Sequence, residues 1–452
     1  MFNVKDFGAL GDGIILDSPA IQKAIDACEA IGGGTVYIPE GRYLSGTIHI
    51  KTNVHVWLDK GAVILGSKNP DDFDPYEENP SNAKFQDRSH SYFYHSLFHA
   101  DNADDIALTG FGKIDMQSAW EDSYFPDIDG DKNTFWCRGC KAIAFKECTN
   151  VVIRDLVIRN VTDLGVYVAG CENVTISGLN IRSHVDGISP DSCKNVVISD
   201  CIVDTGDDAI VPKCSYTLGR LKSMENLVIT NCVLRSSASG IKFGTESNSA
   251  YLNVSVSNCT IYDTVREGIF LMTVDGALVE GFSISNVTMK NVACPIILVI
   301  GERLRGPKGS VIGEMKNISI SNVTVTGPYP EFIQIPMAQN SKEYYANNLT
   351  RKPVRMPMII GGQPDSVIKN VSLSNIQYVA PGGGTEEDRG VKLNDYRTEY
   401  PMVESYGTKA PVYGMFARNV DNLKLYNVDF LTEKEDARDA IMLENVTRFK
   451  QV

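Results

Sequence analysis

Asp186, Asp207 and Asp208 fall within one stretch, HVDGISPDSCKNVVISDCIVDTGDDAIVPK, at positions 184–213. Asp186 and Asp208 are 22 residues apart. Carboxylates brought together repel one another, and the repulsion raises at least one pKa. A protonated carboxyl beside an ionised one suits cleavage of a glycosidic bond. One group protonates the leaving oxygen while another activates water. Two other arrangements use the same residues: a Ca²⁺ site, and a solvated edge with its charges fanned outward. Spacing alone leaves all three open.

A recurring phrase supplies the elements that must position these residues. TNVVIRDLVI, ENVTISGLNI, KNVVISDCIV, ENLVITNCVL, LNVSVSNCTI, KNISISNVTV, KNVSLSNIQY and DNLKLYNVDF place an Asn at 150, 173, 195, 226, 253, 317, 370 and 422. Apolar and polar residues alternate within each phrase, the period of a half-buried strand. Strand units returning about every 22 residues without intervening helices predict an all-β fold, a right-handed parallel β-helix. The repeated Asn is expected to form a stacked amide ladder. Cysteines keep register with it. Cys148, Cys171 and Cys193 precede the Asn by two, while Cys201, Cys232 and Cys259 follow it by six. These read as core columns of reduced thiols.

Counting thirteen residues from successive ladder asparagines reaches Asp163, Asp186, Asp208 and Ser239. Regular coils would stack these four in one column, with Asp186 and Asp208 about 4.8 Å apart. Asp207 would point elsewhere in a regular strand. The corner is therefore expected to be irregular, which Gly187 and Gly206 permit.

The start of the chain reads differently. DSPAIQKAIDACEAIGGG predicts a short helix with Ser18 as N-cap, Pro19 at its first position and Ile21, Ala24, Ile25 and Cys28 on one face. Residues 1–66 form an N-terminal cap on the open end of the coil, continuous with a β-helix over 67–452, so one domain is expected. Segments 69–97, 326–365 and 380–412, rich in Pro, Gly and aromatic residues, read as insertion loops, the usual places for binding.

The net charge is −13, from 43 Lys and Arg against 56 Asp and Glu. An acidic chain lacks the positive face that nucleic acid requires, and no apolar run reaches membrane-spanning length. The N-terminus shows no charged-then-apolar leader. With eleven cysteines, an odd number, this reads as a cytoplasmic protein with reduced thiols. A secreted protein already relieved of its leader would look the same. No metal or cofactor is expected: CRGC at 137–140 has no second CxxC to complete a zinc site. SHSYFYHSLFH, with His90, His95 and His99, reads as a packed aromatic loop. Lys242, Arg266, Glu267 and His184 lie close in sequence or rung to the carboxylates and are candidate substrate contacts. The alternative for each is an ordinary strand or solvated loop position.

At these residues the chain resembles glycoside hydrolase family 28, the polygalacturonases and rhamnogalacturonases of the pectin-lyase-like β-helix fold. The resemblance runs nearly end to end. FNVKDFGALGDG and GGGTVYIPEGRYLSGTI are similar to the family's start, and VDG followed by GDD is similar to its NTDG and GDD motifs. It implies Asp207 as general acid and Asp186 with Asp208 as the pair activating water, with inversion of configuration. It also aligns Lys213 with a family Lys or Asn position. Ser239 stands where the family has His, Phe270 and Met272 stand where it has two cations, and Met116 replaces a Gly. Those departures imply a substrate subsite altered from that of polygalacturonases.

The expected activity is hydrolysis of an α-glycosidic bond in a pectin-type or related oligosaccharide. A polysaccharide lyase or intramolecular glycosyl transfer enzyme on the same fold is the first alternative. A carbohydrate-binding β-helix without catalysis is the second.

Overall fold

A computed structural model of the chain describes residues 1–75, 85, 89–118, 140–334, 350–395 and 397–452. These residues group into two compact units. One holds Met1–Gly206 with Thr217–Arg220; the other holds Asp207–Tyr216, Leu221–Pro336 and the described residues from 350 onward. Each is a stack of parallel β-helical coils, and each is described in turn.

In the first unit the alternating phrases become strands paired in parallel with their apolar residues in line. Val36 pairs with Val56, Val56 with Leu108, Leu108 with Ile153, Ile153 with Ile176 and Ile176 with Ile198. All six are buried. A second sheet carries the column Ile48, Phe98, Ile143, Val166 and Ile188. The polar residue between two inward ones faces out because successive side chains alternate across a strand.

The helix runs from Ser18 to Ala30 and buries Ile21, Ala24, Ile25 and Cys28, the face the sequence predicts. Its N-cap is one residue earlier than expected, at Asp17. The Asp17 carboxylate does not cap the helix; it accepts hydrogen bonds from the Leu10 and Gly11 amides at 2.7 and 3.1 Å. Ser18 Oγ accepts from the Gly46 amide instead. Tertiary partners took the side chains that capping would have used.

In the second unit one core column runs Leu227, Val254, Phe282, Ile318, Val371 and Leu423. A second runs Ile229, Val256, Ile284, Ile320, Leu373 and Leu425. Phe270 and Met272, at the positions where the family resemblance places cations, are buried in an apolar cluster with Ile297, Ile359 and Phe416.

The asparagine ladder forms within both units. Asn173 donates to Asn150 and Asn195 to Asn173 at 3.0 and 2.9 Å; Asn370 donates to Asn317 and Asn422 to Asn370 at 2.9 and 2.8 Å. All eight predicted asparagines have φ between 53 and 66°. The position therefore demands two things at once, a left-handed backbone and an amide that both donates and accepts. Asn supplies both, whereas other non-glycine side chains tolerate that backbone poorly. A second ladder, Asn258, Asn286, Asn322, Asn375 and Asn427, meets the same demands and was not anticipated.

The ten described cysteines are all buried thiols, with none in a disulfide. Of the CRGC stretch only Cys140 lies within the described residues. Among the described residues no helix is long and apolar enough to cross a membrane.

Candidate functional site

The first unit carries Asp163, His184 and Asp186. The strand Asn180–Ser183 ends at a sharp corner before the strand Ile188–Asp191. Ser183 Oγ donates to the carbonyls of Val185 and Asp186, both at 3.0 Å, and fixes that corner. Gly206 is required beside it by close approach rather than by an unusual φ: a Cβ there would lie 2.1 Å from the His184 carbonyl oxygen.

Asp186 is buried, and His90 Nε2 stands 3.6 Å from its Oδ2. His90 comes from the aromatic stretch read in the sequence as a packed loop, and packing does hold it. Its carbonyl accepts from the Tyr167 hydroxyl at 2.9 Å, and the Phe93 ring stacks on Tyr167 with centroids 5.1 Å apart. His184 is buried, its Nε2 meets no hydrogen-bond partner among the described residues, and burial lowers its pKa to about 4. It is therefore a neutral imidazole at physiological pH.

Asp163 does not stand level with Asp186. Val161 pairs with Ser183 and Val166 with Ile188, so the offset across this corner is 22, while Val157 pairs with Asn180 at an offset of 23. The register shift between Ile158 and Val161 removes one residue, and counting from the asparagine overshoots by one. Asp163 is buried, accepting from Ser89 Oγ at 2.5 Å and paired with Lys141 Nζ at 3.3 Å.

The second unit carries Asp207, Asp208 and the remaining candidates. Ser236 Oγ holds the Asp207 carbonyl at 2.5 Å, leaving its side chain half-buried. Asp208 is buried and gripped at both oxygens. The Ser239 amide donates to Oδ1 at 3.0 Å and Lys242 Nζ to Oδ2 at 2.8 Å. The two neighbours then titrate in opposite directions. Burial, then the Asp208 charge, push Asp207 above the ordinary carboxylate range. Burial would raise Asp208 as well, but the Lys242 charge and hydrogen bond outweigh it and hold Asp208 below that range. Lys242 stays ionised: burial opposes its charge, and Asp208 overcomes the penalty.

Lys242 sits on the strand Ile241–Phe243, in register with Phe270 on the next coil. Its ammonium also reaches the Tyr400 hydroxyl at 3.2 Å, which Thr245 Oγ1 meets at 2.8 Å. Lys213 is buried and bound to Glu246 Oε2 at 2.7 Å and the Gly244 carbonyl at 3.1 Å. Arg303 Nε donates to Asp275 Oδ1 at 2.9 Å, and its guanidinium lies 6.0 Å from the Tyr400 ring centroid. Arg266 pairs with Glu404 at 3.3 Å.

Glu267 was expected among the substrate contacts. It is 1% exposed, and both its oxygens are engaged by protein donors: the Ser239 hydroxyl at 2.7 Å and the Val403 amide at 2.7 Å. Burial raises its pKa to about 7 despite the opposing Arg266 charge and Ser239 hydrogen bond.

Sequence reasoning missed Arg303, Asp275 and Tyr400. Tyr400 and Val403 lie in the insertion flagged as a place for binding, so loop position was a usable signal. Arg303 and Asp275 belong to irregular segments outside the repeated phrases, and no periodicity marks them.

Residues 77–379 match the family described as Glycosyl hydrolases family 28, and residues 1–65 match one described as Rhamnogalacturonase A/epimerase, pectate lyase-like. A Vitis vinifera protein named Probable polygalacturonase is 28% identical over 231 residues, 47% of this chain and 44% of that protein. The match thus spans less than half the length of that relative. The Exo-poly-alpha-D-galacturonosidase of Dickeya chrysanthemi is 23% identical over 439 residues, 83% of this chain and 71% of that one. The solved family 28 exopolygalacturonase of Yersinia enterocolitica aligns with a TM-score of 0.70 at 19% identity, covering 99% of this chain and 77% of that one. At that identity the likeness concerns the fold.

Proposed function

Because the chain belongs to glycosyl hydrolase family 28, we propose that it hydrolyses an α-glycosidic bond in a pectin-type or related oligosaccharide, with inversion. Asp207 is the general acid, and Asp186 and Asp208 activate the attacking water. One observation carries the assignment: two adjacent carboxyls driven apart, Asp207 towards its protonated form and Asp208 towards its ionised form. Acid–base catalysis needs that division of labour. Asp207 is also the more exposed of the two, as a group that must reach a leaving oxygen should be. Four residues fall in the surroundings of this chemistry, Lys213, Ser239, Lys242 and Arg266. Lys213 keeps a position the family fills with Lys or Asn, while Ser239 in place of the family His makes the surroundings differ from the motifs of polygalacturonases.

The test is turnover of a panel of pectic and neutral oligosaccharides by wild type and Asp207→Asn. New reducing ends are expected from wild type, with a product anomer opposite to the substrate's by NMR at early times. Asp207→Asn should lower kcat by about 10²–10⁴-fold, the usual scale of general acid catalysis. Retention of that activity in the variant would remove Asp207 from the role.

A second reading is lyase or epimerase chemistry, favoured by the match of residues 1–65 to a pectate lyase-like family. A lyase needs a base for a carbon-bound proton and a cation to neutralise the adjacent carboxylate. Ultraviolet absorbance of an unsaturated sugar appearing in step with the new reducing ends would select a lyase, and inversion at a sugar carbon by NMR with neither signal would select an epimerase. Binding of an oligosaccharide with neither signal, unaffected by Asp207→Asn, would mark a carbohydrate-binding protein.

A further inference from the structure

We infer that Glu267 is a positioning residue, which is anchored by the Val403 amide and through Ser239 holds Asp208 in the orientation hydrolysis requires. The inference rests on the assignment of Asp208 to the reaction. Glu267 is 1% exposed and has no route to a substrate of its own. Its Oε2 receives the Ser239 hydroxyl at 2.7 Å, and the amide of that same Ser239 donates to Asp208 Oδ1 at 3.0 Å. Its Oε1 receives the Val403 amide at 2.7 Å, at the start of the 3-10 turn Val403–Tyr406. A segment contributed by an insertion and the residue that orients Asp208 are therefore tied to one carboxylate.

Chemistry favours the ionised form for this task. A carboxylate accepts at both oxygens, whereas a carboxylic acid turns one of them into a donor. Protonation thus either sets an O–H against the fixed Val403 amide or reverses the Ser239 hydrogen bond, turning that hydroxyl from donor to acceptor. The charged and titratable groups facing Glu267 are Arg266 on its own strand, Lys242 on the strand Ile241–Phe243 and Glu404 on the turn. Cys294, its register partner on the strand Leu278–Ile300, is a neutral thiol whose pKa burial pushes well up. Burial raises the pKa of Glu267 to about 7, so its charge changes within the working range of an enzyme. As pH rises through that value the ionised, two-acceptor form fills, and kcat should rise with it.

The experiment is the pH profile of kcat and KM for wild type, Glu267→Gln and Ser239→Ala on whichever oligosaccharide of the panel is turned over. Glu267→Gln is expected to lower kcat about tenfold with KM within about twofold, because orientation acts on the transition state. It should also erase the inflection near neutral pH. Ser239→Ala keeps the Ser239 amide on Asp208 but cuts its tie to Glu267, so the neutral-pH inflection in kcat should be lost there as well. A neutral-pH inflection unchanged in both variants overturns the inference while leaving the hydrolase reading standing. An inactive wild type on the whole panel defeats the hydrolase reading first, and the positioning role with it. If Glu267→Gln fails to fold, loss or survival of the inflection in Ser239→Ala decides alone.

Discussion

At Asp208 two donors, one neutral and one charged, decide the protonation state. Lys242 supplies the larger influence, and the pair is buried on both sides. Replacing Lys242 with Met removes the counter-charge and leaves the carboxylate buried. Breaking such a pair from one side costs about 3–5 kcal/mol, to be read by urea denaturation. The sign in pH follows. The folded pKa of Asp208 lies below the ordinary 3.8, so the stabilisation is present above that value and lost as pH falls through the folded one. In Lys242→Met burial loses its largest opponent and only the Arg266 charge and the Ser239 amide remain against it, so Asp208 titrates higher and the acid limb of the pH–rate profile should move to higher pH. An unmoved acid limb would mean that Asp208 does not set it. On the proposed assignment the alkaline limb belongs to Asp207, raised by burial and by the Asp208 charge. It should survive the substitution.

At the scale of the element, the coil corner is where local and stacking demands coincide. Asn173 has φ 56°, donates to Asn150 and accepts from Asn195. Asn173→Ala loses the ladder and strains a left-handed backbone. The strain costs about 1–2 kcal/mol, and each lost hydrogen bond adds about 0.5–1.5 kcal/mol. Asn173→Gly keeps the backbone and loses only the ladder, so it should destabilise less than Ala in urea unfolding. The reverse order would show that left-handed strain does not govern the position, since both variants lose the ladder alike. The same reasoning explains the register slip at Asp163. A one-residue shift between Ile158 and Val161 is invisible to counting, because the strands on both sides keep their alternation.

At the scale of the whole molecule, packing removes the thiols from chemistry. The ten described cysteines are buried. Burial raises the pKa of Cys140 and Cys294 well above the ordinary thiol value, which suppresses the reactive thiolate. Ellman's reagent should therefore label these ten slowly in the native protein and rapidly in denaturant. A reducing agent should leave the unfolding midpoint unchanged. A midpoint lowered by reductant would reveal a disulfide that the folded geometry does not contain.

The sequence by itself determined the repeating strands, the Asn ladder, the inward columns and the capping helix. Each follows from residues a few positions apart, whose periodicity is fixed by backbone geometry. It also singled out Asp186, Asp207 and Asp208, because one coil length separates the first from the last. Only the tertiary structure decided which groups act on them. Lys242 reaches Asp208 across 34 residues, Val403 reaches Glu267 across 136, and Tyr400 meets Lys242 across 158. The last two are made by an insertion leaving the repeat, where no periodic pattern records the partner. Charge state followed the same division: the Asp residues are written in the chain, but burial and the Lys242 ammonium, both products of folding, set Asp207 and Asp208 apart.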